Sequence, residues 1–163
     1  MFYAEHGYVI VTGNAHGADQ AFALGANMIH PALVELCLPW RTYNDHAIIP
    51  SAPLSDPAGN PAGESLGNTI RMADQATDAQ RELAQRAHNA WDHTSSATQR
   101  LFTRNAQICD GIEFLLAHPN LTKDGWGGTG HTMRVAAMLG IPVWMTNLWR
   151  WWDPIEGQQA RTA

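Results

Sequence analysis

The sequence predicts an α/β fold: a mostly parallel sheet covered by helices, three layers in all. Three observations predict it. Short runs rich in β-branched residues alternate with stretches of helical periodicity. The runs are apolar on both faces, as strands buried between helices must be. Glycine and proline punctuate each change of period, at Gly13, Pro31, Pro39 and Gly140.

Tyr8-Val9-Ile10-Val11-Thr12 reads as the first strand, ended by Gly13. Residues 17 to 30 form a helix, with Ala18, Ala21, Phe22, Leu24, Gly25 and Met28 at near-helical spacing, stopped by Pro31. Leu33 to Leu38 is the second strand, and Pro39 closes it. Residues 40 to 63 hold Pro50, Pro53, Pro57 and Pro61 and read as a long insertion, a length usually functional or irregular. Leu66 to Ala90 reads as a polar helix, and Ser95 or Ser96 caps a further helix running to about Ile108. Gly111 to Ala117 is a third strand and residues 118 to 127 a loop. Thr129 to Leu139 is a helix closed by Gly140, and Ile141 to Met145 a fourth strand. Residues 1–148 thus form one domain. Residues 149–163 form a tail, rich in tryptophan at Trp149, Trp151 and Trp152 and polar thereafter.

Composition narrows the functional classes. The 163 residues carry a net charge of −5, which argues against general nucleic-acid binding, where a basic excess is expected. Nothing approaches the ~18 apolar residues of a membrane span, and the start of the chain lacks the basic and apolar regions of a secretory signal. Cys37 and Cys109 lie far apart in apolar surroundings and read as buried, reduced thiols. A cytoplasmic location follows, bacterial or that of a host cell infected by a virus. The eight histidines show no ligand spacing, so neither a metal nor a cofactor is expected.

Three constellations fall where ligands bind in parallel sheets, beyond the carboxyl ends of strands. Gly127, Gly128, Thr129, Gly130, His131 and Thr132 open a helix, where free N–H groups and the helix dipole favour an anion. The plainer reading is a glycine-rich connecting turn. Gly13, Asn14, His16, Gly17 and Asp19 follow the first strand. Asp19 is either a helix cap or a ligand group such as a partner for a ribose hydroxyl, and the two roles are compatible; His16 is a polar loop residue or a ligand contact. Arg104 and Asn105 offer bidentate donors for phosphate and a donor–acceptor pair for ribose or base. The alternative for Arg104 is a dipole partner at a helix C-terminus. The tryptophans of the tail suit a packing or subunit interface, with base stacking as the alternative.

Together these segments resemble the SLOG superfamily, related to cytokinin-activating LOG proteins and to the Rossmann-like core of the DNA-processing protein DprA; the YspA-like branch is the most similar. The matching pieces are Val9-Ile10-Val11-Thr12-Gly13-Asn14-Ala15-His16-Gly17-Ala18-Asp19, Leu38-Pro39-Trp40, Arg104-Asn105 with Asp110, and Gly128-Thr129-Gly130-His131-Thr132-Met133-Arg134-Val135-Ala136 followed by Gly140-Ile141-Pro142-Val143. The resemblance implies a Rossmann-like fold that binds nucleotides or nucleotide-derived ligands. Phosphate would sit on the glycine-threonine turn, with Trp40 and the residues from Gly13 to Asp19 nearby. Some relatives cleave the N-glycosidic bond of a nucleoside monophosphate and others only bind.

Two departures matter. Family members open with an extra strand and helix before the segment matching Val9, so the domain is expected to be minimal, truncated or completed by a partner. The glycosidase branch carries a glutamate where this chain has Arg134, which leaves Asp19 as the remaining candidate for a catalytic carboxylate. The expected function is nucleotide binding with or without N-glycosidic hydrolysis. The rivals are a sensor or sequestering protein, and an interaction module with a vestigial pocket. A homodimer or higher homo-oligomer is expected, because a short sheet edge and an aromatic tail are liabilities when exposed.

Overall fold

The computed structural model describes residues 2–44, 69–123 and 126–154. It is mixed α/β and contains an all-parallel three-stranded sheet, compatible with a Rossmann-like fold. The chain divides into two compact units, residues 1–72 and 73–163, each with its own three-stranded sheet.

The first unit opens with a short helix, α1 (Phe2–Glu5), then β1 (Ile10–Thr12), α2 (Ala18–Asn27) and β2 (Val34–Leu38), and ends in β3 (Thr69–Met72). The strands lie in the order β1-β2-β3, all parallel, with Ile10 opposite Val34 and Leu38 opposite Met72. Val34, Leu36 and Leu38 alternate along β2 and are buried with Ala23 and Ala26 of α2. Burial stabilises each of the larger side chains by roughly 1.5–3 kcal/mol. The two alanines let α2 approach the sheet closely. Between β2 and β3, Glu35 forms an ion pair with Arg71.

The second unit contains α3 (Asp78–Arg86), α4 (Ser96–Ile108), β4 (Leu115–Ala117), α5 (Gly127–Met138), β5 (Val143–Met145) and β6 (Arg150–Trp151). β4 and β5 are parallel, and β6 returns antiparallel to β5 with Trp151 opposite Trp144. Helix α3 starts at a reciprocal capping box, in which Thr77 Oγ1 accepts from the Gln80 N–H and Gln80 Oε1 accepts from the Thr77 N–H. Ser95 caps α4 by accepting from the Thr98 N–H. Small residues, Ala84, Ala87, Ala106 and Ala136, pack with Met133, Val135, Val143 and Met145 in the core.

The structure departs from the sequence reading in four main places, one being the third strand, which begins at Leu115 rather than Gly111. Within the expected helix 66–90, Thr69–Met72 is a strand, and helix begins only at Asp78. Alternation of Thr69 and Arg71 with Ile70 and Met72 suits a sheet, and the Glu35–Arg71 pair fixes Arg71 on it. Helix α5 starts at Gly127, two residues before the expected Thr129. In the tail, Arg150 and Trp151 are sheet residues, because Trp151 packs edge-on against Trp144 with ring centroids 5.2 Å apart. Residues 45–68, which carry most of the expected insertion, and residues 155–163 of the tail lie outside the described residues. No described helix is long and apolar enough to cross a membrane.

Candidate functional site

The first unit places the turn after β1 at the carboxyl end of the parallel sheet. Gly17 has φ 99, a conformation glycine adopts without penalty, and forms the N-cap of α2. Two residues into that helix, the side chain of Asp19 leans back toward the N-terminus, as helical side chains do. Its Oδ2 accepts from the Gly13 N–H at 3.1 Å and the Ala15 N–H at 3.3 Å. This corrects one expectation. Asp19 caps the loop before the helix rather than the first N–H groups of the helix itself, which its position in the first turn puts behind it. A carboxylate from the chain thus occupies this turn.

Asn14, inside the same turn, has φ 55 and is 1% exposed. Its carbonyl accepts from Asn44 Nδ2 at 2.7 Å, which ties the turn to the segment after β2. Among the described residues, neither Asn14 Oδ1 nor Nδ2 has a hydrogen-bond partner. Leaving such groups unmade costs about 1–3 kcal/mol each. Trp40 packs edge-on against Tyr43 at 5.2 Å, beyond the end of β2. His16 is exposed, with Nδ1 3.3 Å from Gln20 Oε1.

The second unit holds the glycine-rich turn. Trp126 is the N-cap of α5 with φ 58, in the left-handed region that a bulky residue rarely occupies, and Gly127 follows, also at φ 58. The cap residue makes no side-chain hydrogen bond to the helix, and the first turn contains no acidic residue. The first N–H groups of any α-helix have no acceptor within it, and here Gly127 and Gly128 are exposed. A Cβ built on Gly127 would lie 3.9 Å from Lys123 Cδ, so a cationic side chain runs beside the turn. Sequence reasoning passed over Lys123; a lysine four residues before a glycine pair was the available signal.

Behind this turn lies a polar network. Asn105 Nδ2 donates to the Gly128 carbonyl at 3.2 Å and lies 3.4 Å from His131 Nδ1. His131 Nε2 is 3.0 Å from the Ala84 carbonyl. A carbonyl only accepts, so Nε2 carries the proton and Nδ1 accepts from Asn105. The ring is 0% exposed and stacks on Phe102 at 4.3 Å. Burial pushes its pKa down to about 4; the Ala84 hydrogen bond opposes this, and the positive charge of Arg134, His88 and Arg104 adds to it. Both ring nitrogens of His131 are thus engaged by the protein in the core.

The remaining residues sort similarly. Thr132 Oγ1 donates back to the Gly128 carbonyl at 3.2 Å, so its proton stays within the helix. Thr129 is half-buried and Gly130 buried. Arg104 is buried inside α4 rather than at its C-terminus. Arg134 Nε donates to the Ala87 carbonyl at 2.9 Å, the C-cap of α3, where a cation complements the helix dipole. Among the described residues, no three His, Cys, Asp or Glu side chains gather as a metal site.

No family model, no curated protein and no solved structure matches this chain.

Proposed function

We propose that the protein binds a nucleotide or nucleotide-derived ligand, with the phosphate on the open N-terminus of α5. The observation that carries this reading is the turn at Trp126–Thr129. It has two exposed glycines, no side-chain hydrogen bond from its cap residue, no carboxylate in its first turn and a lysine alongside. Such a terminus suits an anion such as phosphate. The SLOG-like sequence pattern supports the same ligand class and the finer Rossmann-like assignment.

Binding without hydrolysis is the favoured form. Arg134 stands where the glycosidase branch has its glutamate and is committed to the Ala87 carbonyl. Asp19, the remaining carboxylate, is committed through Oδ2 to two loop N–H groups. A sensor or sequestering protein, cytoplasmic and self-associating, fits these features better than a phosphoribohydrolase.

The test is calorimetry with a panel of nucleoside monophosphates and inorganic phosphate, paired with chromatography for released base. Saturable binding without free base is the expected result. Absence of binding by every nucleotide would overturn the proposal, and release of base would replace the sensor with the glycosidase.

A further inference from the structure

One exposed imidazole in the second unit stands apart from the predicted site residues. His118 directly follows β4 and Thr146 directly follows β5. These strands are parallel and in register, with Ala117 opposite Met145, so the next pair across the sheet is His118 and Thr146. His118 Nδ1 lies 2.9 Å from Thr146 Oγ1, and Thr146 Oγ1 lies 3.2 Å from the Ala117 carbonyl.

The hydroxyl has one proton for these two contacts. The carbonyl accepts only. If the proton went to His118, the contact between Oγ1 and the Ala117 oxygen would be a repulsion between lone pairs. Both contacts are satisfied only when Oγ1–H donates to Ala117 and His118 Nδ1–H donates to Oγ1. In neutral His118 this leaves Nε2 without a proton, an acceptor on an exposed ring. The support is fixed: the Thr146 N–H donates to the Ala117 carbonyl at 2.8 Å, and Asn147 Nδ2 donates to the carbonyl of buried Pro119 at 2.9 Å.

We infer that His118 Nε2 is a hydrogen-bond acceptor for a hydroxyl of the ligand, so that the second unit recognises a phosphorylated sugar. This rests on the nucleotide reading above. The carboxyl end of a parallel pair is where α/β units take ligands, and β4 leads through residues 118–126 into the phosphate-binding turn of α5. On that reading the hydroxyl belongs to ribose. An acceptor in this position selects a hydroxyl-bearing ligand over one that lacks it, whereas the helix terminus alone does not.

Two measurements test the inference. In the ligand-free protein, at a pH where the ring is neutral, nitrogen-15 NMR should show the His118 proton on Nδ1 and none on Nε2. In calorimetry, ribonucleoside 5′-monophosphates should bind up to roughly tenfold more tightly than their 2′,3′-dideoxy counterparts, the range of one good hydrogen bond. His118→Phe keeps an exposed ring and should erase that preference while leaving the dideoxy affinity in place. Thr146→Val frees the ring and should reduce the preference. An Nε2-protonated ring, or a ribo-over-dideoxy preference unchanged in His118→Phe, would overturn the inference while the nucleotide reading stands. Absence of binding by either nucleotide class would overturn that reading, and this inference with it.

Discussion

The two glycine-containing turns that open α2 and α5 show the same backbone problem solved in opposite ways. Both present N–H groups around the start of a helix. In the first unit the chain supplies its own anion, since Asp19 Oδ2 accepts from Gly13 and Ala15. In the second unit no first-turn carboxylate is present, and Trp126 in a left-handed conformation leads into two exposed glycines. The support also differs. The closed turn is held by a charge within it. The open turn is held from behind by neutral groups, with Asn105 on the Gly128 carbonyl and His131 anchored to Ala84. Glycine patterns alone therefore do not distinguish an anion site from a finished turn. Among the described residues, what distinguishes the two turns is whether a carboxylate accepts from their N–H groups.

The largest expected effect concerns the neutral support. The pKa of His131 is lowered from 6.5 to about 4, so between those values the unfolded chain binds a proton that the folded chain refuses. Stability is then greatest above about pH 6.5, falls as the pH drops toward 4, and levels off below it. The total loss is up to about 3 kcal/mol. Urea titrations from pH 7.5 to 4 should show this slope in the wild type. His131→Gln should be less stable at pH 7 and lose that part of the slope. An unchanged slope in the variant would remove His131 from the support.

Next comes the closed turn. Asp19→Ala removes a charged acceptor from two N–H groups and should cost about 2 kcal/mol of stability. Asp19→Asn should cost less, because its amide oxygen still accepts. Neither should alter phosphate affinity at α5. A loss of phosphate affinity in Asp19→Asn, with folding intact, would make this carboxylate part of the ligand site and erase the contrast between the turns.

The smallest effect belongs to Arg134. Arg134→Met keeps the aliphatic stem and loses the bond to the Ala87 carbonyl, costing about 1 kcal/mol in thermal or denaturant unfolding. Phosphate affinity should hold. A tenfold loss would show instead that the guanidinium reaches the phosphate.

Legibility in the sequence followed how local each signal was. β1, β2 and β5 announced themselves as apolar β-branched runs, and Ser95 and the end of α4 near Ile108 were readable from capping and period. β3 was not, because Thr69–Met72 is a four-residue strand beside a polar helix, and its placement depends on Glu35 across the sheet. The Thr77–Gln80 capping box was a local cue that α3 starts late. At the site, the glycines and threonines marked the turn, but residue type could not tell which polar groups face outward. His131 packs against Ala84 and Phe102, and Asn105 reaches Gly128 and His131, all partners far away in sequence. His118 and Thr146 meet only through strand register.

The central claim is that the open N-terminus of α5 holds an anion, and Gly128 tests it most directly. Among the described residues nothing lies within 4 Å of a Cβ built there, and Gly128 does not share the positive φ of Gly127. Gly128→Leu should therefore fold, with a gain in helix propensity, while placing its side chain over the exposed N–H groups. Calorimetry of wild type and Gly128→Leu with nucleoside monophosphates and inorganic phosphate is the measurement. The account predicts that the wild type binds and that affinity drops at least about tenfold in the variant, a change of roughly 1.4 kcal/mol, with unfolding no easier. Equal affinity in the two proteins would contradict it.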